Sequence, residues 1–135
     1  MTKIRFHPYI VLNLCFIGVI LLIFLYSGIF SVQKDNHPIP SYYEVFTGKI
    51  SPASGLSRSF SEIIRGDFTE ARKWNENGIP LFIFFFVQFF IRILTTILIV
   101  TRVVRLTILV WTDAIFSVIL FLYCYQNLIF IWKFF

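Results

Sequence analysis

Apolar residues in this chain fall into three long runs separated by shorter polar stretches, and that alternation fixes the architecture. The first run, residues 9–30, carries no charge, and Asn13 is its main polar interruption. The second, residues 80–101, contains one charge, Arg92, with Gln88 a helical turn before it. A basic turn holding Arg102 and Arg105 follows, and a third apolar run continues to the C-terminus. A helix rises 1.5 Å per residue, so about 20 residues cross a hydrocarbon core ~30 Å thick. The pattern predicts an all-α membrane protein, one membrane domain over residues 1–135, with three transmembrane helices.

Residues 51–77 break the apolar pattern. Leu56, Phe60, Ile63 and Ile64 recur at i, i+4, i+7 and i+8, one face of a helix, while Arg58, Ser61, Glu62 and Arg65 fall on the other. Gly66 suits a helix end, and Asp67 followed three residues later by Glu70 reads as a capping box. A short amphipathic helix pair over residues 55–76 is the prediction. Fewer than ~40 residues rarely sustain a core, so Phe60, Ile63, Ile64, Phe68 and Trp74 are expected at the membrane interface or against the spans. Residues 31–50 form a polar connection, with Tyr42, Tyr43 and Phe46 as interfacial candidates. Pro80 belongs in the first turn of the second span, where its missing N–H costs nothing.

Two placements of the third span compete. If it begins near Leu106, Asp113 lies as deep as Arg92 on the antiparallel neighbour, and the two can form a buried ion pair. If Trp111 and Trp132 mark the aromatic belts, the span covers residues 111–132 and Thr112-Asp113 becomes its cap. The cap and the Trp132-Lys133 exit favour the second placement, with spans at 9–30, 80–101 and 111–132. Arg92 then has no assigned partner, although a charge at mid-membrane costs between ~3 and more than ~10 kcal/mol unless it faces protein or water.

Composition excludes most other classes. With 58% hydrophobic residues, 14% charged and 18 Phe, a soluble fold could not cover its apolar surface. The net charge of +5 comes from basic residues scattered or set at the ends of apolar runs, which argues against nucleic-acid binding. Cys15 and Cys124 lie inside apolar runs and read as small core residues, so no disulfide framework or thiolate site is expected. His7 and His37 have no second ligand at useful spacing, and no metal or cofactor is predicted. Lys3 and Arg5 before the first span, with Arg102 and Arg105 in the short turn, place the N-terminus and that turn in the cytoplasm. Residues 31–78 and the C-terminus then lie outside. The first run is too long for a cleaved signal and reads as an uncleaved anchor.

At residues 51–58 the sequence SPASGLSR resembles the signature Cys-Pro-x-Cys-Gly-x-Thr-Arg of small bacterial membrane proteins grouped as domain-of-unknown-function family 2752. The likeness extends through Gly66-Asp67, Ala71 and Trp74-Asn75 to two apolar spans flanking a basic turn. It implies a bacterial inner-membrane protein. Ser51 and Ser54 stand at the two cysteine positions, Ser57 replaces Thr, and Glu76 stands where a Pro usually follows. Any sulfur chemistry of the family is therefore lost here, whereas Pro52, Gly55 and Arg58 keep the turn.

No catalytic constellation accompanies these features. Ser51, Ser54, Ser57, Ser59 and Ser61 lack a positioned base, and Glu44, Glu62, Asp67 and Glu70 read as solvated charges or caps. Arg58 either grips an anion or pairs with Glu62 one turn on. The expectation is a non-enzymatic subunit or scaffold of an envelope complex. It would contact other integral membrane proteins and the bilayer through Ser51, Pro52, Ser54, Gly55, Arg58, Phe60, Ile64, Gly66, Asp67, Trp74, Arg92 and Asp113. No small-molecule substrate is expected. The alternative is one component of an oligomeric transporter or channel, with Arg92, Gln88 and Asp113 along a polar path.

Overall fold

Each long helix turns one narrow stripe inward and leaves the rest of its surface apolar and exposed. The computed structural model describes residues 7–29 and 54–131, the last five by backbone alone. In chain order the helices are α1 (Pro8–Ile29), α2 (Leu56–Arg65), α3 (Phe68–Trp74), α4 (Gly78–Thr101) and α5 (Leu106–Ile131). Lys3, Arg5, the 31–50 connection, Ser51, Pro52 and Trp132 lie outside the described residues.

The inward stripes are Ile10, Asn13, Ile20 and Ser27 on α1, Leu81, Gln88, Arg92 and Thr95 on α4, and Leu109, Asp113 and Cys124 on α5. Their spacings of three, four, seven and, between Asp113 and Cys124, eleven are those of a left-handed helical seam. The remaining faces expose side chains such as Leu22, Val100 and Ile119. A helix apolar on all sides is stable when lipid covers it, and α1, α4 and α5 are each long and apolar enough to cross a membrane. α4 is central, with α1 and α5 packed along it. Phe24 meets Phe82 at 5.0 Å near one end of the α1–α4 contact, and Asn13 reaches Thr95 at 3.0 Å near the other, so the pair runs antiparallel.

The amphipathic pair forms as its pattern predicts and docks on α1 and α4. Phe60 and Ile63 build a core with Ala71 and Leu81, flanked by Ile23, Leu56, Phe82, Phe85 and Tyr125. The Phe60 ring stands edge-on to Phe82 and Phe85 at 5.4 and 6.1 Å, contacts worth about 0.5–1.5 kcal/mol each beyond buried area. Ile64, Phe68 and Trp74, expected at the interface or on the spans, are exposed. Ser61, placed on the polar face by periodicity, is buried because Arg65 one turn later folds over it and donates to its hydroxyl. Ser59 is buried for a different reason: α2 crosses α4 at Gly78, where an added Cβ would lie 2.7 Å from that of Ser59.

Between the two short helices the Gly66 N–H bonds the Ile63 carbonyl at 3.0 Å and the Asp67 N–H bonds that of Glu62 at 3.0 Å, a Schellman closure. Asp67 Oδ1 then accepts from the Glu70 N–H at 2.9 Å and starts α3. Only half of the capping box forms, because the Glu70 carboxylate pairs with Lys73. Asp67→Ala should cost about 1 kcal/mol. The expected readout is faster amide exchange in α3, with the long helices unchanged.

The structure contradicts the helix cap expected at Thr112-Asp113. α5 starts at Leu106, so Asp113 is seven residues inside the helix and caps nothing. The basic turn 102–105 closes with Arg102 in the left-handed conformation and its N–H on the Ile99 carbonyl. A four-residue turn of this kind brings α5 straight back along α4, and Asp113 is drawn inward by Arg92.

Candidate functional site

Polar residues are sparse on these helices, and Asn13, Ser27, Gln88, Arg92, Thr95 and Asp113 are buried on the inward stripes. Arg92 is 8% exposed and Asp113 5%, and they form an ion pair, Nη1 to Oδ2 at 2.5 Å. The Arg92 partner left unassigned on the sequence is therefore on the chain itself. Arg92 sits nine residues before the end of α4, about 14 Å in, and Asp113 about 10 Å from the start of α5.

The guanidinium is held from three helices. Its Nε and Nη2 donate to Gln88 Oε1 at 3.3 and 3.0 Å, Nη2 donates to Ser117 Oγ at 2.8 Å, and Nη1 donates to Asn13 Oδ1 at 3.2 Å. Tyr9 donates its hydroxyl to Asp113 Oδ2 from α1, closing the ring of contacts. Asn13 Nδ2 donates to Thr95 Oγ1 at 3.0 Å, and Thr95 and Thr96 donate to carbonyls of their own helix. The Phe16 ring lies 5.5 Å below the guanidinium carbon, close enough for a cation–π contact. Asp113 Oδ1 and Gln88 Nε2 are buried with no hydrogen-bond partner among the described residues.

Toward the hairpin end the polar cluster gives way to aromatic rings. Phe24 lies against Phe82 and Phe89, Phe84 lies against Phe85, Phe121 and Tyr125, and centroid separations run from 4.3 Å for Phe121–Tyr125 to 6.4 Å for Phe24–Phe89. The cluster thus sits nearer the end that holds the α1 start and the 102–105 turn, and rings from α1, α4 and α5 separate it from the other end. Charges held this way clamp three helices.

A second group of the residues singled out on the sequence meets in the hairpin. Gly55 has φ +75°, and an added Cβ would lie 2.4 Å from the Trp74 carbonyl oxygen. The Arg58 guanidinium lies over the Trp74 ring at 4.7 Å, not against Glu62. Asn75 Nδ2 donates to the Ser54 carbonyl at 2.9 Å, and its Oδ1 accepts from the Asn77 N–H at 2.9 Å. Ala71 is fully buried beneath them. Gly66 and Asp67 form the far turn. These contacts give Ser54, Gly55, Arg58, Gly66, Asp67, Phe60 and Trp74 structural work in joining α2 to α3, while Ile64 faces outward. Outside the membrane-spanning segments, the Glu70 hydrogen bond and charge hold the Lys73 ammonium above its ordinary value.

Of the cluster, only Arg92, Asp113 and Gln88 were singled out on the sequence. Tyr9, Asn13, Thr95 and Ser117 share the signal that could have found them: polar side chains at three- or four-residue spacing within otherwise apolar helices. Cys124 is buried on the inner stripe of α5, whereas Cys15 is exposed on the outer face of α1 and is no core residue.

These features define a multi-pass membrane protein with three candidate spans, an internal charge clamp and a docked amphipathic hairpin. No family model, curated protein or solved structure matches the chain.

Proposed function

We propose that this chain is a non-enzymatic subunit or scaffold of a larger envelope complex, docking through its outward helix faces and its α2–α3 hairpin. The observation that carries this reading is the Arg92–Asp113 cluster, whose charges meet one another inside the chain and are walled off by aromatic rings on one side. Burying charges in a membrane is costly, and here the arrangement secures α1, α4 and α5 as one rigid unit. What that unit presents is the hairpin edge, where Ile64 and Phe68 are exposed beside charged side chains. Exposed apolar residues rimmed by polar ones are the usual signature of a partner surface. By loop charge the hairpin belongs outside and the N-terminus and 102–105 turn in the cytoplasm. The resemblance at residues 51–58 supports a bacterial inner membrane and a hairpin whose turn is retained without the thiols.

Photo-crosslinking from position 68 in intact membranes tests the proposal. One or a few defined proteins are expected in the crosslinked band, and Ile64→Glu with Phe68→Glu should cut co-purification in mild detergent several-fold. A chain that purifies alone and crosslinks only to lipid would end the subunit reading.

A second reading rests on Asp113 Oδ1 and Gln88 Nε2, polar atoms that a transported ion or water could use if several copies assembled into a path. Vesicles holding the purified chain would then leak ions or protons above protein-free vesicles, and Arg92→Leu would abolish the leak. The subunit reading predicts no flux in either case.

A further inference from the structure

Below the end of α3 the surface carries a depression of about 560 Å³ lined by Arg72, Lys73, Glu76, Ile79 and Pro80. Its upper rim is charged and its floor is apolar, and it sits where the hairpin meets the first turn of α4, the level of the headgroups if α4 spans the bilayer. Lys73 is committed to Glu70. Arg72 and Glu76 enter no ion pair among the described residues, although they carry opposite charges on the same rim. From Ile79 the apolar floor continues down the outward face of α4 through Ile83, Phe86 and Phe90, spaced four, three and four residues apart and about half exposed. That stripe runs about 17 Å along the helix.

We propose that this depression binds a phospholipid whose headgroup joins a phosphate to a primary ammonium. Arg72 takes the phosphate, since a guanidinium matches its oxygens with paired N–H donors. Glu76 accepts hydrogen bonds from the ammonium, and an acyl chain lies along Ile83, Phe86 and Phe90. A headgroup with phosphate alone would leave Glu76 facing negative charge. One with a quaternary ammonium would offer Glu76 no N–H donor. The chemistry thus selects the primary amine over both.

The full-length chain, delipidated in mild detergent, tests this by native mass spectrometry against phosphatidylethanolamine, its N-methylated series ending in phosphatidylcholine, and phosphatidylglycerol, all with the same acyl chains. Phosphatidylethanolamine should be retained roughly two- to fivefold over phosphatidylcholine, the scale of an exposed charge pair, with retention falling at each methylation. Glu76→Gln should erase that preference while leaving overall phospholipid retention, and Arg72→Ala should lower retention of every phospholipid. Equal retention of the two zwitterionic lipids, stronger retention of phosphatidylglycerol, or a preference that survives both substitutions would overturn the assignment.

Discussion

Replacing Arg92 by Leu should lower the unfolding free energy of the detergent-solubilised chain by about 3–5 kcal/mol, the usual cost of removing one member of a buried ion pair. The physics lies in what remains. Asp113 would keep the Tyr9 hydroxyl as its donor, but Oδ1 already lacks a partner and the 5% exposed carboxylate would have no counter-charge. Asn13, Gln88 and Ser117 would also lose the donor that gathers them. Arg92→Lys should recover only part of the loss, because one ammonium cannot reach Gln88, Ser117, Asn13 and Asp113 together as the guanidinium fork does. Titration with a denaturing detergent, followed by helix content, measures the change. A shift of less than about 0.5 kcal/mol, the range of ordinary surface substitutions, would mean that the clamp does not hold the helices.

Gly55→Ala should disrupt the hairpin with the spans intact. The left-handed conformation at φ +75° costs a non-glycine residue about 1–2 kcal/mol. The new methyl would also sit 2.4 Å from a backbone oxygen of Trp74, and backbone cannot rotate away as a side chain can. Overpacking of this kind typically adds ~1–3 kcal/mol. Residues 55–77 should become protease-sensitive at temperatures where α1, α4 and α5 remain protected, and the Arg58–Trp74 contact should go with them. Equal protection of wild type and variant would show that the turn tolerates the Cβ and that the close approach is not a constraint.

Much of this architecture was legible in the order of residues. Run length was enough for α1, which carries no charge, and for α4, which carries Arg92 alone, because a helix in lipid needs little more than apolar side chains over its length. The hairpin could be read because Leu56, Phe60 and Ile63 keep helical spacing and Gly66-Asp67 marks the joint. The start of α5 could not. Nothing after Pro80 is Gly or Pro, so local chemistry left the turn unmarked, and a tryptophan belt with a plausible cap at Thr112-Asp113 competed with an ion pair that exists only once α5 folds back on α4. Tertiary electrostatics decided the matter, with Arg92 supplying the partner that makes a buried Asp113 affordable. Ser59 was equally unreadable, since its burial depends on Gly78, nineteen residues away, leaving room for it.

The double substitution Arg92→Leu with Asp113→Leu tests the central claim most directly, because it removes both charges at once and leaves neither uncompensated. Replacing a buried ion pair by apolar residues of similar volume is often close to neutral for stability. If the pair is an internal clamp, the double variant should be more stable than either single substitution and should co-purify with the same membrane partners at wild-type yield. A double variant that folds, yet has lost its partners or a measurable ion flux, would show that Arg92 and Asp113 are a working site and not the fastening described here.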